Sequence, residues 1–131
     1  MDDRFARGSE LLDQIHTGGG AKLVEGLSDV APDLARYIVQ FGFGDIYARP
    51  GLSLRDRQLA TVAALAALGT AQAQLVAHIE GALAVGVTRE EVVEVIIQMA
   101  LYGGFPAAMN AVDAARTAFA AVDAKEASAA T

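Results

Sequence analysis

Cysteine is absent from this 131-residue sequence, and histidine occurs only twice. Without cysteine the chain can form no disulfide, thiolate metal site or thiol redox centre. The two histidines, His16 and His78, lie far apart in the sequence and offer poor ligation for a metal ion. We therefore expect a site that uses neither a thiol nor a bound metal.

Basic clusters and long apolar runs are missing as well. Lys and Arg number 10 against 16 Asp and Glu, so the net charge is −6 and no basic patch is available to neutralise phosphates. Gln, Gly or Glu interrupts the apolar runs well short of the ~18–20 residues of a membrane span. The N-terminus, MDDRFARGSELLDQI, lacks the apolar core of a signal peptide. These features predict a cytoplasmic protein that binds neither nucleic acid nor membrane.

Hydrophobic residues make up 53% of the chain, and many of them are alanine, the best helix former. No segment shows useful strand alternation, so we predict an all-α helical bundle of about six helices. A chain of this length should form one domain over residues 1–131, with loose termini at 1–8 and 123–131. Some of the apolar surface should be buried in an oligomer.

The stretch Ser53–Asn110 predicts three consecutive helices: SLRDRQLATVAALAALG, AQAQLVAHIEGALAVG and TREEVVEVIIQMALYGG. Ser53 and Thr88 begin segments with capping-box spacing, at the start of the first and the third of these helices. Gln58 lies at the edge of the first helix's buried face, and His78 lies in a heptad-like seam on the second. Flanking helices are expected from Ser9 to His16, from Pro32 with a kink near Gly44, and from Pro106 to about Val122.

Five polar side chains in this stretch are candidates for chemistry, and each has a structural alternative. His78 is either a hydrogen-bonded core residue or a proton-transfer group with a pKa near neutrality. Glu94, Gln98 and Tyr102 share one flank of the third helix, for which the structural alternative is a solvated edge or an interhelical hydrogen-bond network. Glu94 suits that alternative, whereas Gln98 and Tyr102 lie deeper in the apolar run, where burial without partners would be costly. Arg57 is either a clamp for a carboxylate or a surface charge.

Two longer segments carry a family resemblance: FGDIYARPGLSLRDRQLATVAALAALG and AHIEGALAVGVTREEVVEVIIQMALYGGFPAAMNA. Over roughly Gly26 to Ala120 the chain resembles the carboxymuconolactone decarboxylase family, which shares its fold with the AhpD-like alkylhydroperoxidases. The resemblance implies an all-helical subunit that assembles as a homotrimer or homohexamer. It also implies pockets between helices at the subunit contacts.

The peroxidase branch of that superfamily uses a glutamate, a CxxC pair and a histidine a few residues later. His78 falls where this histidine would lie, but Ala71 and Gln74 occupy the approximate cysteine positions. Gln58 stands where family members often carry glutamate. The chain is therefore not a thiol peroxidase, and because glutamine cannot act as a base, a Glu–His proton relay is not available.

The decarboxylase branch implies a cofactor-independent carbon–carbon lyase. Its substrate is a small carboxylated lactone, 4-carboxymuconolactone, in aromatic-compound degradation through the β-ketoadipate route. In this interpretation His78 is the proton donor or oxyanion partner, Arg57 holds a carboxylate, and the other substrate-binding groups are Gln58, Gln98 and Tyr102. Two alternatives remain: an isomerisation or cyclisation of another small molecule, or a non-catalytic oligomeric helical module.

Overall fold

The computed structural model describes residues 3–130, and this part of the chain is helical with no strand. The all-α prediction is therefore confirmed. The chain divides between Leu54 and Arg55 into two compact units. Within residues 3–130 no helix is both long and apolar enough to span a membrane.

The first unit contains three α-helices and a π-helix. The helices are α1 (Asp3–Ile15), α2 (Gly19–Leu27) and α3 (Pro32–Tyr37), and α3 continues directly into the π-helix (Ile38–Tyr47). The predicted start at Pro32 is confirmed. In place of a kink near Gly44, the structure has this wider helix.

Helix α1 begins earlier than the sequence predicted, because its charged side chains bind the π-helix. Arg4 Nη2 lies 2.7 Å from Asp45 Oδ2, and Arg7 Nε donates a hydrogen bond of 2.7 Å to the carbonyl oxygen of Gly44. The prediction of a loose segment at residues 1–8 is wrong for the part the structure describes, which starts at residue 3. The first two residues lie outside the described part.

Glycine allows α1 and the π-helix to cross at near backbone contact. A Cβ atom on Gly8 would lie 2.0 Å from the carbonyl oxygen of Val39, and one on Gly44 would lie 2.3 Å from that of Arg4. Neither distance is compatible with a side chain unless the helices separate. Apolar side chains fill the space beside the crossing: Leu12, Ile15, Val39 and Phe43 are buried.

Substitution of Gly44 by alanine tests this crossing. Gly44→Ala should lower the free energy of unfolding by about 1–3 kcal/mol, the range for overpacking, because the methyl group overlaps a carbonyl oxygen. Gly42→Ala is the matched control in the same helix, since a Cβ there meets nothing within 4 Å. It should be neutral or stabilising by up to about 1 kcal/mol. Urea unfolding followed by circular dichroism measures both, and equal stability of the two variants would contradict the close approach.

The second unit is formed by four longer helices. They are α4 (Leu54–Leu68), α5 (Gln72–Ala84), α6 (Arg89–Gly103) and α7 (Phe105–Ala130), of which α7 packs against both α5 and α6. Helices α4, α5 and α6 start and end within one or two residues of their predicted bounds.

Helix α7 runs beyond its predicted end at Val122, so the expected loose segment at 123–131 is wrong up to Ala130; the final residue lies outside the described part. An ion pair between Arg89 and Asp123, with Nη2 and Oδ1 2.6 Å apart, ties this extension to the start of α6. Alanine, lysine and glutamate, all strong helix formers, make up most of the extension.

Small side chains dominate the core of the second unit. A Cβ on Gly103 would lie 2.5 Å from the carbonyl oxygen of Ala67, so α6 and α4 also meet at near backbone contact. Larger aliphatic residues fill the interior between these close approaches. The buried core consists of Val62, Ala66, Leu75, Ile79, Ala82, Val87, Val92, Ile96, Ala111, Ala114, Ala115 and Ala118.

A complete capping box starts α6, as the sequence predicted. Thr88 Oγ1 accepts a hydrogen bond of 3.0 Å from the backbone N–H of Glu91, and Glu91 Oε1 accepts one of 2.9 Å from that of Thr88. Arg55 at the start of α4 pairs with the same carboxylate. The backbone N–H of Thr88 and then the guanidinium of Arg55 lower the pKa of Glu91.

The lowered pKa of Glu91 predicts a loss of stability in acid. Because the folded-state pKa lies below the unfolded-state value, the contribution is present above the unfolded-state value and disappears as pH falls through the folded-state value. Glu91→Gln should therefore reduce the fall in the urea midpoint between about pH 5 and pH 3. Glu90→Gln, in the same first turn but outside the capping box, is the control. An unchanged acid dependence in Glu91→Gln would refute this contribution.

Candidate active site around His78

His78 lies on α5 at the boundary between the core and the surface. Its seam neighbours Leu75 and Ala82 are buried, at 2% and 0% exposure, whereas His78 is only partly buried. The predicted seam is therefore present, but it does not enclose the imidazole fully. A histidine in this position can exchange a proton with a bound molecule.

Gln58 on α4 is the hydrogen-bond partner of His78. It is fully buried, on the same helix face as Val62 and Ala66, and not at the edge of that face as the sequence suggested. Gln58 Oε1 lies 3.0 Å from His78 Nδ1, although the two residues are 20 positions apart in the chain. Because an amide oxygen can only accept, this contact is a hydrogen bond in the form of His78 that carries a proton on Nδ1.

The amide nitrogen of Gln58 has no such partner. Its Nε2 atom is buried and forms no hydrogen bond within residues 3–130. Leaving a buried donor unsatisfied opposes folding by about 1–3 kcal/mol, and such groups are uncommon in native proteins. The side chain therefore combines one well-made hydrogen bond to His78 with one unfavourable buried group.

Arg57 precedes Gln58 on α4 and is half-buried. Its backbone carbonyl oxygen accepts a hydrogen bond of 2.9 Å from Thr61 Oγ1 within the helix. The structure places its side chain on the same helix turn as Gln58. Its role as a carboxylate clamp stays a prediction.

Gln98 and Tyr102 lie on α6 at the surface. Both are exposed, Tyr102 to 75%, so the apolar run around them does not enclose them in this chain. Helix α6 buries only one face, through Val92 and Ile96, and its other faces are open in this chain. Within residues 3–130 neither side chain forms a hydrogen bond with Gln58 or His78, and their assignment as pocket groups stays a prediction.

Apolar side chains are exposed next to Gln98 and Tyr102. We use the term α6–α7 apolar surface for four of them, located at the end of α6 and the start of α7. They are Ile97, Leu101, Phe105 and Met109, with exposed fractions of 60%, 79%, 78% and 68%. The sequence led us to expect that some apolar surface is buried in an oligomer, and that expectation stays a prediction.

Two further features lie outside the Gln58–His78 pair. No group of three or more histidine, aspartate or glutamate side chains in the described part of the chain is arranged to bind a metal ion. A shallow, mostly apolar cleft in the first unit was not anticipated from the sequence, because it depends on the contact between α1 and α2. It is lined by Phe5, Ser9, Gly20, Ala21, Val24 and Glu25.

The fold and the site together define a class of protein: an all-helical chain without thiols, in which a buried glutamine holds a partly exposed histidine. The sequence model of the carboxymuconolactone decarboxylase family matches residues 32–117. This chain belongs to that family.

Two relatives match over most of their length. The 4-carboxymuconolactone decarboxylase of Acinetobacter baylyi is 33% identical over 122 residues, covering 90% of this chain and 88% of the relative. An uncharacterized 15.0 kDa protein in the nqo9–nqo10 intergenic region of Paracoccus denitrificans is also 33% identical, over 98 residues. That match covers 74% of this chain and 73% of the relative.

Proposed function

We propose that this protein is a cofactor-independent decarboxylase acting on a small carboxylated lactone such as 4-carboxymuconolactone. One observation carries the proposal: a partly exposed histidine, held at Nδ1 by a buried amide, in a chain similar over 90% of its length to a 4-carboxymuconolactone decarboxylase. The histidine supplies a group for proton transfer. The similarity to the decarboxylase supports the substrate class.

The proposed reaction requires no external electron acceptor. The bond between the ring carbon and its carboxylate breaks, carbon dioxide leaves, and the electron pair spreads through the conjugated double bond to the lactone carbonyl oxygen. A proton is then added to carbon, and the carbonyl re-forms. The protein must therefore hold the carboxylates, stabilise the developing oxyanion and supply one proton.

The residues of this chain suit those three tasks. His78, protonated on both nitrogens, would donate from Nε2 while Gln58 keeps the ring oriented through Nδ1. Arg57 would pair with a substrate carboxylate, since a guanidinium binds carboxylates in a bidentate manner. Gln98 and Tyr102 would contribute polar groups from α6, on the side of the helix beside the α6–α7 apolar surface.

Replacement of His78 tests the proposed chemistry. His78→Ala should lower kcat for loss of 4-carboxymuconolactone, followed by absorbance, by about 100-fold or more, the scale of general acid catalysis. His16→Ala is the matched control, because it removes the other histidine, from the end of α1, and should retain activity. Full activity in His78→Ala would overturn the assignment of His78. Absence of turnover by the unmodified protein would overturn the lactone as substrate.

A second candidate function is an isomerisation or cyclisation of another small molecule in a biosynthetic pathway. Gln58 favours this alternative, because it stands where related chains often carry glutamate and a changed polar residue at a site accompanies changed chemistry. Product analysis separates the two candidates: decarboxylation releases carbon dioxide in equal amount to the lactone consumed, whereas an isomerisation or cyclisation releases none.

We also propose that the protein assembles as a homotrimer or homohexamer through the α6–α7 apolar surface. All four of its side chains are at least 60% exposed in the single chain, and large exposed apolar side chains that cluster on a surface mark interaction sites. The substrate pocket would then include groups from two subunits. Such an arrangement accounts for the position of Gln98 and Tyr102 away from the core of their own subunit.

A charge introduced at Leu101, an exposed residue of the α6–α7 apolar surface, tests the assembly. Leu101→Glu should convert the oligomer into monomers, because burial of an unpaired carboxylate at an interface is unfavourable. Light scattering coupled to size-exclusion chromatography gives the mass directly. Ala127→Glu, an exposed position near the end of α7, is the control and should leave the mass unchanged. A monomeric unmodified protein, or an intact oligomer in Leu101→Glu, would contradict the proposed interface.

A further inference from the structure

Gln58 has a property that packing alone does not explain. It is one of the largest fully buried side chains, at 0% exposure, and its Nε2 atom has no hydrogen-bond partner within residues 3–130. A methionine has nearly the same length and would fill the same space without an unsatisfied donor. The amide at this position therefore opposes folding relative to an apolar residue of the same size.

The oxygen of the same amide contacts His78, and this contact explains why a polar side chain occupies a buried position. Gln58 Oε1 lies 3.0 Å from His78 Nδ1, and the burial of Val62 and Ala66 on the same helix face holds the α4 backbone in place. A neutral imidazole carries one proton, which can reside on either nitrogen. A buried acceptor at Nδ1 selects the form that carries it there.

We propose that Gln58 is a positioning residue that keeps the proton of neutral His78 on Nδ1, so that proton exchange with the substrate takes place at Nε2. The catalytic consequence rests on the proposed function, whereas the tautomer itself does not. Gln58 orients the ring without contributing charge. A carboxylate at the same position would orient it equally but would also stabilise the imidazolium and raise the pKa of His78.

Nitrogen NMR of the full chain tests the tautomer directly. Long-range proton–nitrogen spectra of ¹⁵N-histidine-labelled protein distinguish a protonated from an unprotonated ring nitrogen, and the chain has only two histidines. In the neutral form, Nδ1 of His78 should be the protonated nitrogen. His16, which lies in the first unit, serves as the internal reference and should be unchanged in every variant.

Two substitutions of Gln58 separate orientation from packing. Gln58→Met removes the acceptor, so the Nδ1-protonated form of His78 should lose its preference, and the thermal midpoint should be unchanged or higher because the orphaned donor is gone. Gln58→Glu keeps an acceptor, so the Nδ1-protonated form should persist while the titration midpoint of His78 moves to higher pH. All other charged residues are the same in the three proteins, so a difference in the titration midpoint of His78 reports the substitution at position 58.

The outcomes distinguish this inference from the proposed function. Protonation of neutral His78 on Nε2 in the unmodified protein, or an unchanged tautomer in Gln58→Met, would overturn the inference. A large fall in the thermal midpoint of Gln58→Met would assign Gln58 a structural role and overturn it as well. If the lactone is turned over, Gln58→Met should lower kcat/KM by about tenfold or more. If it is not, the spectra still decide the tautomer.

Discussion

Close approach of helix backbones at glycine and alanine positions is the constraint on which the rest of this structure depends. Within the first unit, Gly8 and Gly44 leave no room for a side chain between α1 and the π-helix. Within the second unit, Gly103 meets the backbone of α4 in the same way, and α7 contributes alanines almost exclusively to the core. Helices this close have little freedom to shift, so the side chains they carry keep fixed positions.

The Gln58–His78 hydrogen bond is a consequence of that packing. Each residue lies on a helix whose buried side chains are otherwise small or aliphatic. The amide can tolerate its unsatisfied nitrogen because the surrounding core determines its position. Buried polar groups that reduce stability in this way are typical of sites selected for function.

Membership of the carboxymuconolactone decarboxylase family limits the chemistry more than the fold does, since one fold supports many reactions. Because the chain has no cysteine, the thiol chemistry of the peroxidase branch is excluded. Because position 58 is a glutamine, a Glu–His proton relay through that position is excluded as well. What remains is a histidine with one oriented nitrogen on a chain rich in exposed apolar surface. That combination suits proton transfer to a bound small molecule.

The sequence by itself determined the helical class, the bounds of α4 to α6, and the capping box at Thr88, because apolar periodicity and caps are local patterns read within a few residues. It also indicated His78 and Gln58 as candidates. Only the tertiary structure decided that these two residues meet, that Gln98 and Tyr102 are exposed, and that residues 3–8 and 123–130 are helical. Those outcomes depend on contacts between residues tens of positions apart, which no local pattern encodes.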